Sequence, residues 1–383
     1  MLELRKFVAP EFIFGAGAID LVGQYARNFG ARKALLVSDA GVAATGLTGK
    51  IAQILEEDDI DSVLFSTISA NPRADEVMNG AEQYVQDGCD IIIAVGGGSP
   101  MDCAKGIGIV TTNGRHILDF EGIDNVEVPG PPLICLPTTA GTAADVSQFA
   151  IVTNVQERVK IAIVSKTMVP DVALIDPLVT ATMDGYLTAC TGMDALVHAF
   201  EAYVSTANAP ILDLHALNAI KLIFENLPAV LQKPDDMELR GKIALASLEA
   251  GLAFSNASLG AVHAMAHSCG GLLDMAHGEC NAILLDHIVA FNYKEVPHRY
   301  KNIAESIGIA TAQMDSKTVL KEILLKIRLL KEEIGIEPGL AKKGARAVDI
   351  SELARKAMAD PCMVTNPREA TVRDIEVLYE EAL

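Results

Sequence analysis

The chain has no tryptophan, no Cys-x-x-Cys pair and no apolar run of the roughly 18–20 residues that a membrane helix needs. Its longest apolar stretches are interrupted by Lys221, Glu225 or Glu249, which argues against a membrane anchor. Basic residues are scarce: 31 Lys and Arg stand against 50 Asp and Glu, a formal charge of −19. Nucleic-acid binding rests on basic contacts to phosphate, so that class of partner is disfavoured. The 7 cysteines are odd in number and scattered, which excludes a disulfide framework and reads as reduced, mostly buried thiols. No apolar signal core follows Met1-Leu2-Glu3-Leu4-Arg5-Lys6. The expectation is a cytoplasmic protein with neither a membrane nor a nucleic-acid partner.

What is present is apolar mass. Half of the 383 residues are hydrophobic, ample for large cores and more than one core usually serves. The first half alternates strand-like and helical stretches. Residues 33–39, 62–65, 90–95 and 132–137 read as strands, with helical spacing over 48–57 and 75–88. Continuous branched runs such as Asp90-Ile91-Ile92-Ile93-Ala94-Val95 suit strands covered on both faces. The fold class expected is a mostly parallel α/β unit, with Ile161–Val164 and Val172–Ile175 as its last strands. Asp176-Pro177 is a turn signal, and from about Thr182 the pattern is helical nearly to the end. The boundary is read near residue 180: 1–180 as an α/β domain, 181–383 as an all-α domain. A cleft between two domains is the default place for a ligand.

Two loops of the first half suggest a nucleotide. Gly96-Gly97-Gly98-Ser99-Pro100-Met101-Asp102 follows a buried strand, with Pro100 suited to the first turn of a helix. Such a loop is either a plain tight turn or an anion site for a pyrophosphate. Pro137-Thr138-Thr139-Ala140-Gly141-Thr142 is either a capped helix start or a hydroxyl-rich phosphate or ribose site. Asp39, at a strand end, either caps a helix or accepts from a ribose 2′-OH, where a 2′-phosphate would be repelled.

The second half concentrates imidazole. Three of the 8 histidines, His263, His267 and His277, fall within residues 260–281. His263 and His267 share one helix face at a spacing of four, and Asp194 and His198 repeat that spacing upstream. A glycine pair, Gly270-Gly271, should end or bend the helix before His277. The spacing also suits an ordinary packed core. The Ala-, Gly- and Met-rich surroundings point to burial, where several imidazoles need a shared partner. Carboxylate and imidazole together suit Fe2+ or Zn2+, so two helices and a loop are expected to hold one metal ion. His287 is expected to pack nearby without touching it.

These segments, with Gly278-Glu279-Cys280-Asn281-Ala282 and the tail Thr365-Asn366-Pro367-Arg368, resemble the iron-containing (group III) alcohol dehydrogenases over essentially the whole chain. The likeness is greatest to members acting on short primary alcohols and diols. The resemblance implies a dehydroquinate synthase-like fold. It implies Asp194, His198, His263 and His277 as metal ligands, leaving His267 as a proton relay. It implies an NAD site at Asp39, Gly96, Gly97, Gly98, Ser99, Asp102, Thr138, Thr139, Thr142 and Lys160. Phe149, Ile151, Phe254 and Cys362 would line the alcohol pocket, and a homodimer or larger homo-oligomer is expected. The metal would act as a Lewis acid on the alcohol oxygen while its carbon gives a hydride to nicotinamide. The second loop departs from the family: Ala143-Ala144-Asp145 stands where Gly-Ser-Glu or Ala-Ser-Glu is usual. A glycerol dehydrogenase- or dehydroquinate synthase-like NAD and metal enzyme is the alternative reading, and an oligomeric scaffold the non-enzymatic one.

Overall fold

Branched apolar residues decide where the central strands lie. Ile91–Gly96, Leu133–Pro137 and Val172–Ile175 are buried at every position, as in strands covered on both faces. The computed structural model describes residues 6–383. The chain divides into two compact units, Val8–Met183 and Asp184–Leu383, the second also taking in Phe7, whose ring lies 6.3 Å from that of His215.

In the first unit the strands run β1 (Glu11–Phe14), β2 (Lys33–Val37), β3 (Asp61–Phe65), β4 (Ile91–Gly96), β5 (Gly122–Ile123), β6 (Leu133–Pro137), β7 (Phe149–Asn154), β8 (Val159–Val164) and β9 (Val172–Ile175). The helices between them are α1 (Val22–Asn28), α2 (Ala40–Ala44), α3 (Leu47–Glu57), α4 (Ala74–Gln86) and α5 (Gly98–Asn113). Six strands form one sheet in the order β1-β9-β6-β4-β2-β3, every pairing parallel. Successive strand residues face opposite sides, so each face gains its own core. Leu35, Ile92 and Cys135 pack with Val77 and Ile107; Leu36, Ile93 and Ile134 pack with Val22, Ile51 and Leu55. The chain passes from β2 outward to β3 and then back across to β4, so the order reverses between β2 and β4. Open α/β sheets hold their ligands outside the carboxyl ends of strands at such a reversal.

Not every strand lies where its pattern suggested. Ile161–Val164 is part of β8, which pairs antiparallel with β7 and parallel with β5 in a separate three-stranded sheet. Lys105 ties that sheet to α5. Its buried ammonium donates to the carbonyls of Ser147 (2.9 Å) and Phe149 (2.7 Å). β1, Glu11-Phe12-Ile13-Phe14, is not among the strands expected from the pattern; it is a largely exposed edge strand held by β9, with Phe12 and Phe14 left partly uncovered.

The second unit is helical: α6 (Gly185–Val204), α7 (Pro210–Gln232), α8 (Met237–Ala257), α9 (Ala261–Leu273), α10 (His277–Asn292), α11 (Pro297–Ser306), α12 (Ser316–Glu333), α13 (Ile350–Ala359) and α14 (Val372–Ala382). α6 is buried from Gly192 to Val204 and α9 from Ala261 to Gly270. Helices apolar on all sides are interior helices. α6 packs against α7, α8 and α10, and α9 against α10 and α13. The glycine pair does not end α9. The helix runs through Gly270 and Gly271 and stops at Asp274, in the left-handed region at φ 55°. Packing on both sides outweighs glycine's weak helix propensity. His277 consequently opens α10 rather than sitting on a loop. Among the described residues no helix is long and apolar enough to cross a membrane.

Candidate metal centre and cofactor loops

Three helices bring three donor atoms together. Asp194 comes from α6, His263 from α9 and His277 from the first position of α10. Their ligand atoms all lie within 4.8 Å of one another. Asp194 Oδ1 is 3.8 Å from His263 Nε2 and 3.7 Å from His277 Nε2. Asp194 and His263 are almost wholly buried, whereas His277 keeps 25% of its side chain exposed. Glycine makes the meeting of α6 and α10 possible: a Cβ on Gly278 would stand 2.7 Å from the Cys190 carbonyl oxygen.

The amide nitrogen of Asn281 sits among the three donors. It donates to Asp194 Oδ1 at 2.6 Å and lies 3.1 Å from His263 Nε2 and 3.2 Å from His277 Nε2. Its own Oδ1 is buried without a hydrogen-bond partner among the described residues. A partly positive N–H group thus stands where one carboxylate and two imidazoles converge. That donor set fits a borderline divalent metal. His198 is outside the converging set. It stacks on His263 with ring centroids 4.5 Å apart and on Phe254 at 4.2 Å.

Behind the donors lies a carboxylate that spacing did not single out. Glu201 Oε2 lies 2.6 Å from His263 Nδ1, and the carboxylate accepts from the backbone N–H groups of Gly260 (3.0 Å) and Val262 (2.7 Å). Burial pushes its carboxyl up to about 7, against the pull of those backbone donors. Burial likewise drives His263 down to about 3, with Asp194 opposing, so the imidazole is neutral near pH 7. Asp194, His198 and Glu201 recur at spacings of four and three along α6 and share one face. That recurrence is the signal that would have revealed Glu201.

His267 stands apart from the donors in its bonding. Its Nδ1 lies 2.8 Å from Asp360 Oδ2, and its ring stacks on His277 at 5.2 Å. Burial alone would raise the Asp360 carboxyl, but His267 and the Cys362 backbone N–H outweigh it and leave it below the ordinary value. Cys362 joins the same cluster, its thiol pushed far up by burial. Asp360 lies 93 residues from His267, and no local pattern marks it. His287 is in neither cluster. It lines a cavity of about 850 Å³ with Asp286, Arg328 and Lys331.

In the first unit, the two small-residue loops face one another at the carboxyl ends of β4 and β6. Gly96 has φ 154°, and a Cβ there would stand 2.6 Å from Pro100. A Cβ on Gly97 would meet Thr139 at 3.1 Å and one on Gly98 would meet Thr142 at 2.9 Å. Thr138 N–H donates to the Gly96 carbonyl at 2.9 Å. No side chain caps the N-terminus of α5, so its first amides are left as a helix end suited to a pyrophosphate. Asp39, at the end of β2, caps α2 through Oδ1 (2.9 Å from Val42 N). Its Oδ2 faces the glycine loop, 3.5 Å from where a Gly96 Cβ would stand. The cap and the ribose reading therefore use different oxygens. Ser99 Oγ donates to the Ala70 carbonyl at 2.6 Å, so this hydroxyl already has a partner in the segment between β3 and α4. Asp102 follows on α5; Lys160 lies on β8 opposite Thr153, and Phe149 and Ile151 lie on β7. Phe254, on α8, and Cys362 are buried in the helical unit.

A six-stranded parallel sheet with a glycine loop at its order reversal, joined in one chain to a helical unit with a buried carboxylate–imidazole cluster, defines the dehydroquinate synthase-like class. Two family models match consecutively: "Iron-containing alcohol dehydrogenase" over residues 9–177 and "Fe-containing alcohol dehydrogenase family, C-terminal" over 188–383. The chain belongs to the iron-containing alcohol dehydrogenase family. It is 40% identical to a 1,3-propanediol dehydrogenase of Citrobacter freundii, covering 96% of each chain. It is 36% identical to an NAD-dependent methanol dehydrogenase of Bacillus methanolicus, covering 98% of this chain and 99% of that one. A crystal structure of a 1,3-propanediol oxidoreductase superposes with a TM-score of 0.96 at 38% identity over the full length of both chains. The protein is an oxidoreductase of the alcohol–aldehyde class.

Proposed function

We propose that this enzyme interconverts short primary alcohols, or diols, and aldehydes with NAD and a divalent metal, iron being the family's metal. The observation that carries the reading is the convergence of Asp194 Oδ1, His263 Nε2 and His277 Nε2. These three would hold the metal, with His198, one turn from Asp194 on the same face of α6, as the fourth ligand. One carboxylate against neutral imidazoles leaves a divalent site net positive, as a developing alkoxide requires. When bound, the metal supplies Lewis acidity to the alcohol oxygen and NAD supplies the hydride acceptor.

The remaining roles fall to this chain's own groups. His267 turns Nδ1 to Asp360, which leaves Nε2 to receive the hydroxyl proton. Apolar residues for contact with a small alkanol are present on each unit, Phe254 and Cys362 on the helical one and Phe149 and Ile151 on the first. The Gly96–Gly98 amides and the α5 N-terminus bind the pyrophosphate, with Ser99, Asp102, Thr138, Thr139, Thr142 and Lys160 around it. Asp39 accepts from the adenosine ribose 2′-OH and repels a 2′-phosphate. A homodimer or larger homo-oligomer completes the reading; light scattering of the purified protein tests it.

Anaerobic purification with metal analysis, then assays of ethanol, 1,3-propanediol, glycerol and lactaldehyde with NAD and with NADP, tests the function. Stoichiometric divalent metal and NAD-linked turnover of primary alcohols are expected. His263→Ala and Asp194→Ala should lose both metal and turnover; alcohol oxidation that survives in the metal-free variants rules the reading out. Asp39→Gly should let NADP compete. An unchanged ratio of NAD to NADP turnover would remove the ribose assignment.

A further inference from the structure

The N-terminus of α9 has no cap of its own: Gly260 precedes it, and no local side chain accepts its first amides. Two distant residues do so instead. Asn366 Oδ1 accepts from Ala261 N at 3.1 Å. Glu201, on the donor face of α6, accepts from Gly260 N through Oε2 and from Val262 N through Oε1. The approach needs glycine, since a Cβ on Gly260 would stand 2.9 Å from both Glu201 Oε1 and Asn366 Oδ1. The buried carboxylate therefore accepts from two backbone N–H groups at the positive end of a helix, which fixes where its two oxygens stand. Its Oε2 also contacts His263 Nδ1.

We infer that Glu201 is the positioning residue of the metal centre: it holds His263 in the tautomer that carries its hydrogen on Nδ1 and presents the Nε2 lone pair to Asp194 and His277. This rests on the metal reading above. A neutral imidazole has one hydrogen. With an acceptor fixed at Nδ1, that hydrogen is there, and Nε2 is free to ligate. Carboxylates behind metal-bound histidines act in this way generally. Here the carboxylate, a donor and a further candidate ligand come from one helix face, and the same carboxylate caps the helix that carries His263. Capping of α9 and metal affinity are thereby joined in one side chain.

Glu201→Gln isolates the effect. If its amide nitrogen faces Nδ1, it donates there and forces the hydrogen onto Nε2. If its oxygen faces Nδ1, the amide nitrogen opposes the Val262 N–H. Asn366→Ala is the control, because it removes a cap from the same helix end without touching His263. The measurement is chelator competition on the full-length protein loaded with Co2+, read by the visible ligand-field absorption, with the thermal midpoint of each metal-free variant recorded alongside. Glu201→Gln should weaken metal binding roughly 10- to 100-fold and alter the absorption. Asn366→Ala should lower the midpoint and keep affinity within about threefold of wild type, since it contacts no ligand. Wild-type affinity in Glu201→Gln, or an equal loss in Asn366→Ala at a matched midpoint, overturns the inference. Should Glu201→Gln not fold, Glu201→Asp withdraws the charge from Nδ1 by one methylene, and unchanged affinity there overturns it equally. A wild-type protein that takes up no metal would instead sink the metal reading itself.

Discussion

At the residue scale, buried charge sets how this protein responds to pH. Asp145, in the loop that departs from the family pattern, is buried, and burial pushes its carboxyl up to about 6 against the pull of its backbone N–H and of Lys105. A carboxyl raised on folding stabilises the protein while protonated. That contribution is complete below the unfolded value of about 4 and is lost as pH rises through about 6. Asp145→Asn should match the wild type in denaturation midpoint near pH 4 and exceed it increasingly towards pH 7, by the ordinary linkage of protons to folding. A gap that stays constant with pH would contradict this. The same scale shows what spacing reveals. Asp194, His263 and His277 stood out because their chemistry is rare in an apolar neighbourhood. Asn281 was visible only as part of a motif, and Asp360 not at all, because its partner His267 is brought to it by packing.

At the element scale, helix contacts rest on particular glycines. Gly278 allows α10 to approach the backbone of α6 at Cys190, beside Asp194. Gly278→Ala should push the two helices apart, cost about 1–3 kcal/mol in chemical denaturation and weaken metal binding. A variant with wild-type metal affinity would mean that this approach does not set the donor geometry. Gly241, within α8, faces open space: a Cβ there would meet nothing within 4 Å. Gly241→Ala should therefore be neutral or stabilising by up to about 1 kcal/mol. Strands followed the apolar pattern wherever both faces are covered, as in β4, β6 and β9. The pattern failed at β1, an exposed edge held by its neighbour. It also failed for β8, whose branched residues made it a strand without saying which sheet it joins. α9 passes through Gly270 and Gly271 because tertiary packing outweighs local propensity.

At the scale of the whole molecule, each unit has its own expected ligand. Divalent metal should slow amide exchange in α6, α9 and α10, and NAD should slow it in β4, the start of α5 and residues 137–142. Ligand held at a hundred times its dissociation constant stabilises by about 2.7 kcal/mol, so stripping the metal should lower stability measurably. Metal that leaves exchange in α6, α9 and α10 unchanged would place the centre elsewhere.

The sequence by itself determined the alternation of strands and helices, the glycine and threonine loops, and the kinds of donor available to a metal. These follow from periodicity, backbone freedom and side-chain chemistry, which are local. Only the tertiary structure decided which donors converge. His263 and His267 share a helix face, yet His263 turns to Asp194 and Glu201, and His267 to Asp360. The physical reason is that α9 is surrounded, with α10 on one side and α13 on another. Each imidazole bonds to what its own neighbour presents, and Glu201 reaches His263 across 62 residues of chain because α6 and α9 both pack against α10.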